Sequence, residues 1–263
     1  MEPVIYKPNH ITENYISSIL VRVFENPKYL KDFTDGKIYM NTTLWFAERE
    51  LNLTEGQQDD LEGVKEYLNQ TDEVELIMDF TEGKGRIMQG KRGTFKHNGV
   101  PVFKVQLGRE KDIDNIFSCY SIWFDLEGNQ TTKVDERMLK EFGKYSVIIL
   151  NQIEFLERIE RAVKGLEKEK IKIPLRYGYV NYINTEGSHV ELGTFRKDEK
   201  YDYQNEFRIA VGLNREPKPF TLEVGSLEDI LLVVKTEDVY KLEIKDNVIH
   251  MGSEMKIPIK IQG

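Results

Sequence analysis

The sequence predicts an α+β fold, with a mixed, mainly antiparallel sheet and a few flanking helices. Short runs of β-branched and apolar residues, typical of strands, recur along the 263 residues, and fewer segments have helical spacing. Strands and helices do not alternate as regular βαβ units, which argues against a doubly wound parallel sheet. Because no repeat or low-complexity linker divides the chain, we expect a single domain over 1–263.

The first third of the sequence predicts strand, helix, strand and helix in that order. A strand over 19–24 precedes a short helix that begins at Pro27, because proline suits the first helical turn. Gly36 is typical of a helix exit. A second strand over 37–41 then leads into a second helix.

The middle of the sequence, 74–107, predicts a β-hairpin arm or insertion. A strand over 75–80 is followed by several glycines. Asn98 and Gly99 then lie between two strand-like runs, and Asn-Gly is a strong signal for a tight hairpin turn.

The remainder of the chain predicts further strands around two helices. One helix over 134–142 is capped by Thr132 and ends at Gly143, and a longer one is capped by Asn151. Helical spacing in the longer helix predicts an apolar stripe of Ile153, Leu156, Ile159, Val163 and Leu166. The predicted strands cover 116–123, 145–150, 177–183, 206–213, 219–224, 230–235 and 241–250, and Asp246 and Asn247 are predicted to form a hairpin turn within the last of these.

Composition excludes several classes of protein. The 40% hydrophobic and 31% charged residues are ordinary for a soluble globular chain and unlike collagen, disordered or membrane-spanning sequences. One cysteine and four histidines are too few for a disulfide framework or a Cys/His zinc site. The net charge of −8 gives no overall attraction to nucleic acid or anionic lipid. Since no run of about 18 apolar residues occurs and residues 1–14 lack the basic start and apolar core of a signal peptide, we expect a cytoplasmic protein without membrane contact.

Two groups of reactive side chains have simpler interpretations than catalysis. Asp59, Asp60 and Glu62 offer the oxygen ligands that a divalent cation prefers, but no second carboxylate cluster pairs with them by spacing, so a solvated acidic loop is the better interpretation. Cys119 lies in an apolar run, where a small buried thiol is a common core residue. We therefore predict no metal site.

The most informative segment is Gln204-x-Glu206 at the entrance to an apolar strand. A carboxylate fixed there can hydrogen-bond a ribose hydroxyl and stabilise positive charge on a sugar carbon. Alternatively, Glu206 and Arg208 pair on the solvent face of a half-buried strand. The residues alone leave both interpretations open.

Six segments follow one another in a characteristic order: 21–24, 36–41, 44–46, the acidic loop 59–63, 117–121 and 200–209. Together they resemble a broad bacterial and phage family of uncharacterised proteins. The same order of an early Arg, a central Ser strand and a late Gln-x-Glu is similar to the ADP-ribosyltransferase fold. The resemblance implies an ADP-ribosyltransferase-like core with the hairpin as an insertion.

The resemblance also implies a role in binding NAD for five residues. Arg22 would contact a phosphate or ribose, and Ser118 or Ser121 would orient the nicotinamide ribose. Tyr39 or Tyr120 would stack on the nicotinamide. The serine strand reads Ser-x-x-Ser where the fold has Ser-Thr-Ser, which weakens the assignment of Ser121.

Two further residues would carry the chemistry. Glu206 would hold the ribose 2′-hydroxyl and stabilise the transition state as nicotinamide leaves, and Gln204 would position the acceptor. These roles require Arg22, Ser118 and Glu206 to line one cleft.

The resulting functional hypothesis is transfer of ADP-ribose from NAD to a protein or nucleic acid during phage–host conflict. The alternative is a non-catalytic phage or prophage protein that binds and inhibits a host or defence complex. The acidic surface and the arm at 74–107 would then be the contact elements, and we would expect an exposed apolar patch or a homo-oligomer at the arm.

Overall fold

The computed structural model describes fourteen parts of the chain. They are residues 4–6, 15–48, 61, 64, 66–69, 74–79, 86–91, 104–107, 114–125, 127–167, 173–186, 189–212, 218–251 and 255–259. All structural statements below refer to these residues.

Strands dominate the described chain and short helices lie between them. The helices are α1 (Pro27–Thr34), α2 (Thr43–Glu48), α3 (Arg137–Phe142), α4 (Gln152–Leu166) and α5 (Thr236–Val239). The first ten strands are β1 (Val4–Tyr6), β2 (Tyr15–Phe24), β3 (Lys37–Thr42), β4 (Glu66–Asn69), β5 (Val74–Asp79), β6 (Arg86–Lys91), β7 (Lys104–Leu107), β8 (Asn115–Asp125), β9 (Tyr145–Ile149) and β10 (Leu175–Tyr179). The others are β11 (Asn181–Ile183), β12 (His189–Glu191), β13 (Arg196–Asp198), β14 (Glu206–Val211), β15 (Phe220–Glu223), β16 (Leu231–Lys235), β17 (Leu242–Lys245), β18 (Val248–Met251) and β19 (Met255–Pro258).

The main sheet has the strand order β1-β10-β14-β8-β2-β9-β16, and β3 and β15 join it beside β8. Its neighbours are antiparallel except for β1 and β10, which are parallel. This architecture confirms the α+β class in broad terms.

Apolar side chains cover both faces of the main sheet, since alternate residues of a strand point to opposite sides. On one face, Leu20 and Phe117 pack in a cluster with Phe155 of α4; we call this the α4 face. On the other face, Val21 and Tyr120 pack in a cluster with residues of α3, α5, β17 and β18; we call this the Tyr120 face.

Helix α4 buries the middle of the apolar stripe that its spacing predicts, together with Phe155, but not the two ends of that stripe. Phe155, Ile159 and Val163 are buried at four-residue intervals. Ile153 and Leu166, which the sequence pattern also assigns to the apolar stripe, are about half exposed at 49% and 45%. The aromatic ring of Phe155 determines the buried side, because it contacts the rings of Phe33 and Phe117.

The predicted cap of α4 is confirmed, whereas that of α3 is wrong. The Asn151 side chain accepts a hydrogen bond from the Glu154 backbone amide, as an N-cap should. Helix α3 begins three residues later than predicted, with Glu136 at its N-cap. The Thr132 hydroxyl instead accepts a hydrogen bond from the Trp123 amide, so it anchors the preceding loop to β8.

Two predicted hairpins have different outcomes. Asp246 and Asn247 have positive φ values of 52° and 60° and connect β17 to β18, as their side chains favour. In the middle segment, β5 pairs with β6 in an antiparallel ladder. Asn98 and Gly99 lie outside the described residues, so the turn predicted there stays a prediction.

No helix within the described parts of the chain is long and apolar enough to cross a membrane.

Candidate functional site

Three neighbouring strands of the main sheet carry the predicted motifs. Strand β8 lies between β2 and β14, so the strands of Arg22, Ser118 and Glu206 are adjacent. In the register of β14 and β8, Arg208 lies opposite Ser118 and Glu206 lies opposite Tyr120. Ser118, Glu206 and Arg208 therefore share the Tyr120 face.

Glu206 is buried among hydrogen-bond donors. The Ser118 hydroxyl donates to its Oε1 atom, and Arg208 Nε donates to the same oxygen at 2.5 Å. Lys197 Nζ lies 3.1 Å from Oε2, and Arg208 Nη2 reaches Oε2 at a longer 3.4 Å. We call Ser118, Lys197, Gln204, Glu206 and Arg208 the Glu206 cluster.

The Glu206 carboxylate is held in its ionised form. Burial raises the pKa of the Glu206 carboxyl, but the positive charges of Arg208 and Lys197 lower it by more. The net effect holds the pKa well below its usual range. The group is therefore a fixed negative charge at neutral pH and not a proton donor.

This low pKa predicts an acid-sensitive contribution to stability. Because the folded pKa of Glu206 lies below its unfolded value near 4.5, the contribution is complete above that pH and is lost as the pH falls. We expect the free energy of unfolding, measured by urea titration between pH 7 and 3, to decline less steeply in Glu206→Gln than in the wild type. Identical pH slopes would contradict the assignment.

Gln204 is buried at the edge of the same cluster. Its Oε1 atom accepts a hydrogen bond from Lys197 Nζ at 2.9 Å, and its Nε2 atom donates to the Tyr203 hydroxyl at 3.4 Å. Tyr203 in turn donates to Glu141 of α3. The structure thus brings Gln204 and Glu206 together through Lys197, a residue that sequence reasoning did not assign.

Asn205, the residue between them, determines how the chain enters β14. Its backbone is left-handed, with φ 39° and ψ 53°. Its Nδ2 atom donates to the Ser121 carbonyl at 2.5 Å, and its Oδ1 atom accepts from Trp123 Nε1 at 3.1 Å. Sequence reasoning missed this anchor, although asparagine is one of the few residues that tolerate positive φ.

Arg22 does not line the face that carries Glu206. Since Val21 lies opposite Tyr120, the next residue along β2 points to the α4 face. The Arg22 guanidinium lies 4.8 Å from the Phe117 ring and donates to the Ser118 carbonyl. Its Nε atom is buried without a hydrogen bond to the described residues. The expected cleft of Arg22, Ser118 and Glu206 is not formed, because strand register places Arg22 on the other side.

The other three candidates make no hydrogen bond to the Glu206 carboxylate within the described residues, although Tyr120 lies opposite Glu206 in the strand register. Ser121 is fully buried on the α4 face, where its hydroxyl finds no hydrogen-bond partner among the described residues. Tyr120 is 5% exposed, its hydroxyl donates to the Lys133 carbonyl, and burial raises its pKa to about 12. Tyr39 is 57% exposed on β3. Of the serine pair, the structure brings only Ser118 to Glu206.

Cys119 packs in the core of the α4 face. Burial raises the pKa of its thiol to about 12, so little thiolate forms near neutral pH. Its role as a core residue fits this position better than nucleophilic catalysis. The acidic residues Asp59, Asp60 and Glu62 lie outside the described residues.

A depression of about 250 Å³ opens beside the Glu206 cluster. Arg176 lines it and shares the face of Arg208, since it lies opposite Ala210 on β14. Thr194 connects the two features, because its carbonyl accepts a hydrogen bond from Arg208. The described lining residues are Arg176, Asn181, Leu192, Gly193, Thr194, Phe195 and Arg196.

Comparisons with protein-family models, with curated proteins and with solved structures found no match to this chain.

Proposed function

We propose that this chain binds NAD on the Tyr120 face and transfers ADP-ribose to a macromolecule. The observation that carries the proposal is the hydrogen bond from the Ser118 hydroxyl to Glu206, which joins the two motifs that the resemblance pairs. NAD would supply a ribose carbon that becomes positively charged as nicotinamide departs. A carboxylate that stays ionised at neutral pH suits stabilisation of that charge.

One lone pair of the Glu206 carboxylate is occupied only by a long contact. Its Oε1 atom already accepts from Ser118 and Arg208. Its Oε2 atom has a close contact with Lys197 and only the 3.4 Å contact with Arg208. Since each carboxylate oxygen has two lone pairs, Oε2 can accept a ribose hydroxyl in place of that long contact.

Because Arg22 lies on the α4 face and cannot fill the role expected of it, the arginines of the depression would contact the NAD phosphates in its place. Arg176 and Arg196 both line it, and a guanidinium can donate two parallel hydrogen bonds to a phosphate. Arg176 also pairs with Asp114, which holds its side chain in place. Arg22 supports the Ser118 strand from the opposite face.

Nicotinamide release in the presence of bacterial cell extract tests the proposal. We expect Glu206→Gln to reduce release at least about 100-fold, because it removes the charge that stabilises the transition state. Ser118→Ala leaves the ion pairs intact and should lower release less. Glu223→Gln, which removes an exposed carboxylate from β15, is the matched control and should not change it.

A second function is favoured by the burial of Glu206, which is 6% exposed and already paired with two cations. A carboxylate so enclosed also fits a structural cluster in a protein that works only by binding a partner. In that case the wild type would release no nicotinamide, and NAD would not raise its melting temperature. Capture of a defined host or defence complex by the tagged chain would then identify the partner.

A further inference from the structure

Lys197 links the two side chains of the Gln-x-Glu motif. It lies on β13, just before the 3₁₀ segment Glu199–Gln204, and its side chain is 8% exposed. Its Nζ atom is 2.9 Å from Gln204 Oε1 and 3.1 Å from Glu206 Oε2. A single buried ammonium group therefore contacts both residues.

Charge compensation alone does not account for this arrangement. Arg208 already gives Glu206 a buried cationic partner. An ammonium carries three donors around one nitrogen and can reach acceptors on two residues, whereas a guanidinium fork matches the two oxygens of one carboxylate. The contact with Gln204 is thus the distinctive feature of Lys197.

The backbone between the two motif residues gives Lys197 a specific task. Because Asn205 is left-handed, a regular strand does not set the relative directions of Gln204 and Glu206. We propose that Lys197 is a positioning residue that fixes the side chains of Gln204 and Glu206 relative to each other. Its catalytic consequence rests on the proposed transferase function.

The chain offers a matched control for this inference. Lys197 Nζ lies 5.3 Å from the centre of the Tyr201 ring, and Lys200 Nζ lies 4.8 Å from the same ring. Lys200 is exposed, in contrast to Lys197. Lys200→Met therefore removes a lysine from the same ring without touching Gln204 or Glu206.

The first measurement is spectroscopic and does not depend on activity. The side-chain amide signals of Gln204 in ¹H–¹⁵N spectra should shift in Lys197→Met and stay unchanged in Lys200→Met. Unchanged Gln204 signals in a folded Lys197→Met variant would overturn the inference, whatever the enzyme assay shows.

The second measurement distinguishes a positioning role of Lys197 from a role that needs only its positive charge. Lys197→Met should lower kcat for nicotinamide release about tenfold to hundredfold, with KM for NAD nearly unchanged, because misplaced groups slow the chemical step. Lys197→Arg keeps the charge but should not restore kcat, and full activity in that variant would refute a positioning role. A wild type that releases no nicotinamide would refute the proposed function. The Gln204 signals would still show whether Lys197 holds the Gln204 side chain.

A variant at the other end of the contact covers the case in which Lys197→Met does not fold. Gln204→Leu removes the acceptor and leaves the ion pair between Lys197 and Glu206. It should also lower kcat, and wild-type kcat in this variant would contradict the inference.

Discussion

Replacing Arg208 by leucine is expected to lower the free energy of unfolding by about 3–5 kcal/mol, measured by urea denaturation with linear extrapolation. Arg208 is 1% exposed, and its guanidinium binds Glu206 and the Thr194 carbonyl. Leucine would leave the negative charge of the buried Glu206 carboxylate with one cationic partner fewer. It would also leave the buried Thr194 carbonyl without its hydrogen bond from the guanidinium. Losing one partner of a buried pair costs more than the pair contributes, because the remaining group stays desolvated.

Two controls distinguish this effect from a general effect of losing an arginine. Arg196→Leu removes a guanidinium that is 42% exposed from β13, and its effect should stay within about 1 kcal/mol. The double variant Glu206→Gln/Arg208→Leu should lose less free energy of unfolding than the sum of the losses in the two single variants. Substitutions of residues in contact are not additive. A loss for Arg208→Leu no larger than that for Arg196→Leu would mean that Lys197 and Ser118 alone compensate Glu206.

The elements that the sequence predicts well are those whose conformation is determined by residues close together in the sequence. Strand β14 begins at Glu206, where an apolar run follows a polar turn, and Asn151 caps α4 through its own side chain. Asp246 and Asn247 form the turn from β17 to β18 because their side chains tolerate positive φ. None of these depends on which distant segment packs against it.

The parts of the candidate site that could not be predicted depend on long-range pairing. The face on which Arg22 lies is set by the register of Val21 with Tyr120, two residues almost a hundred positions apart. A shift of one residue would move Arg22 to the face of Glu206, and no local pattern distinguishes the two registers. Lys197 is near Glu206 in the sequence, but the two meet through the 3₁₀ segment Glu199–Gln204 and the left-handed Asn205, whose conformations the apolar pattern does not predict.

Gly36→Ala is expected to destabilise the fold by about 3 kcal/mol or more, as measured by urea denaturation. Gly36 ends the turn after α1 with φ +88°, a conformation that costs other residues about 1–2 kcal/mol. An added Cβ atom would also lie 1.8 Å from the Gly225 carbonyl oxygen. Since that neighbour is backbone, relief requires movement of the chain, and such overpacking typically costs a further 1–3 kcal/mol or so.

The backbone around Gly36 explains why movement is costly. The Gly36 amide donates to the Phe33 carbonyl, and the Gly36 carbonyl accepts from the Val224 amide. These bonds join the end of α1 to the segment after β15, beside Leu222 and Leu227 of the α4 face. Displacing Gly36 would therefore disturb a core cluster as well as a turn.

Gly165→Ala provides the opposite case within the same chain. Gly165 lies in α4, and nothing lies within 4 Å of the position of an added Cβ atom. Alanine there should leave stability unchanged or raise it by up to about 1 kcal/mol, because it restricts the unfolded chain and favours the helix. Equal effects of the two substitutions would show that glycine at 36 is needed for neither its φ value nor its close approach to Gly225.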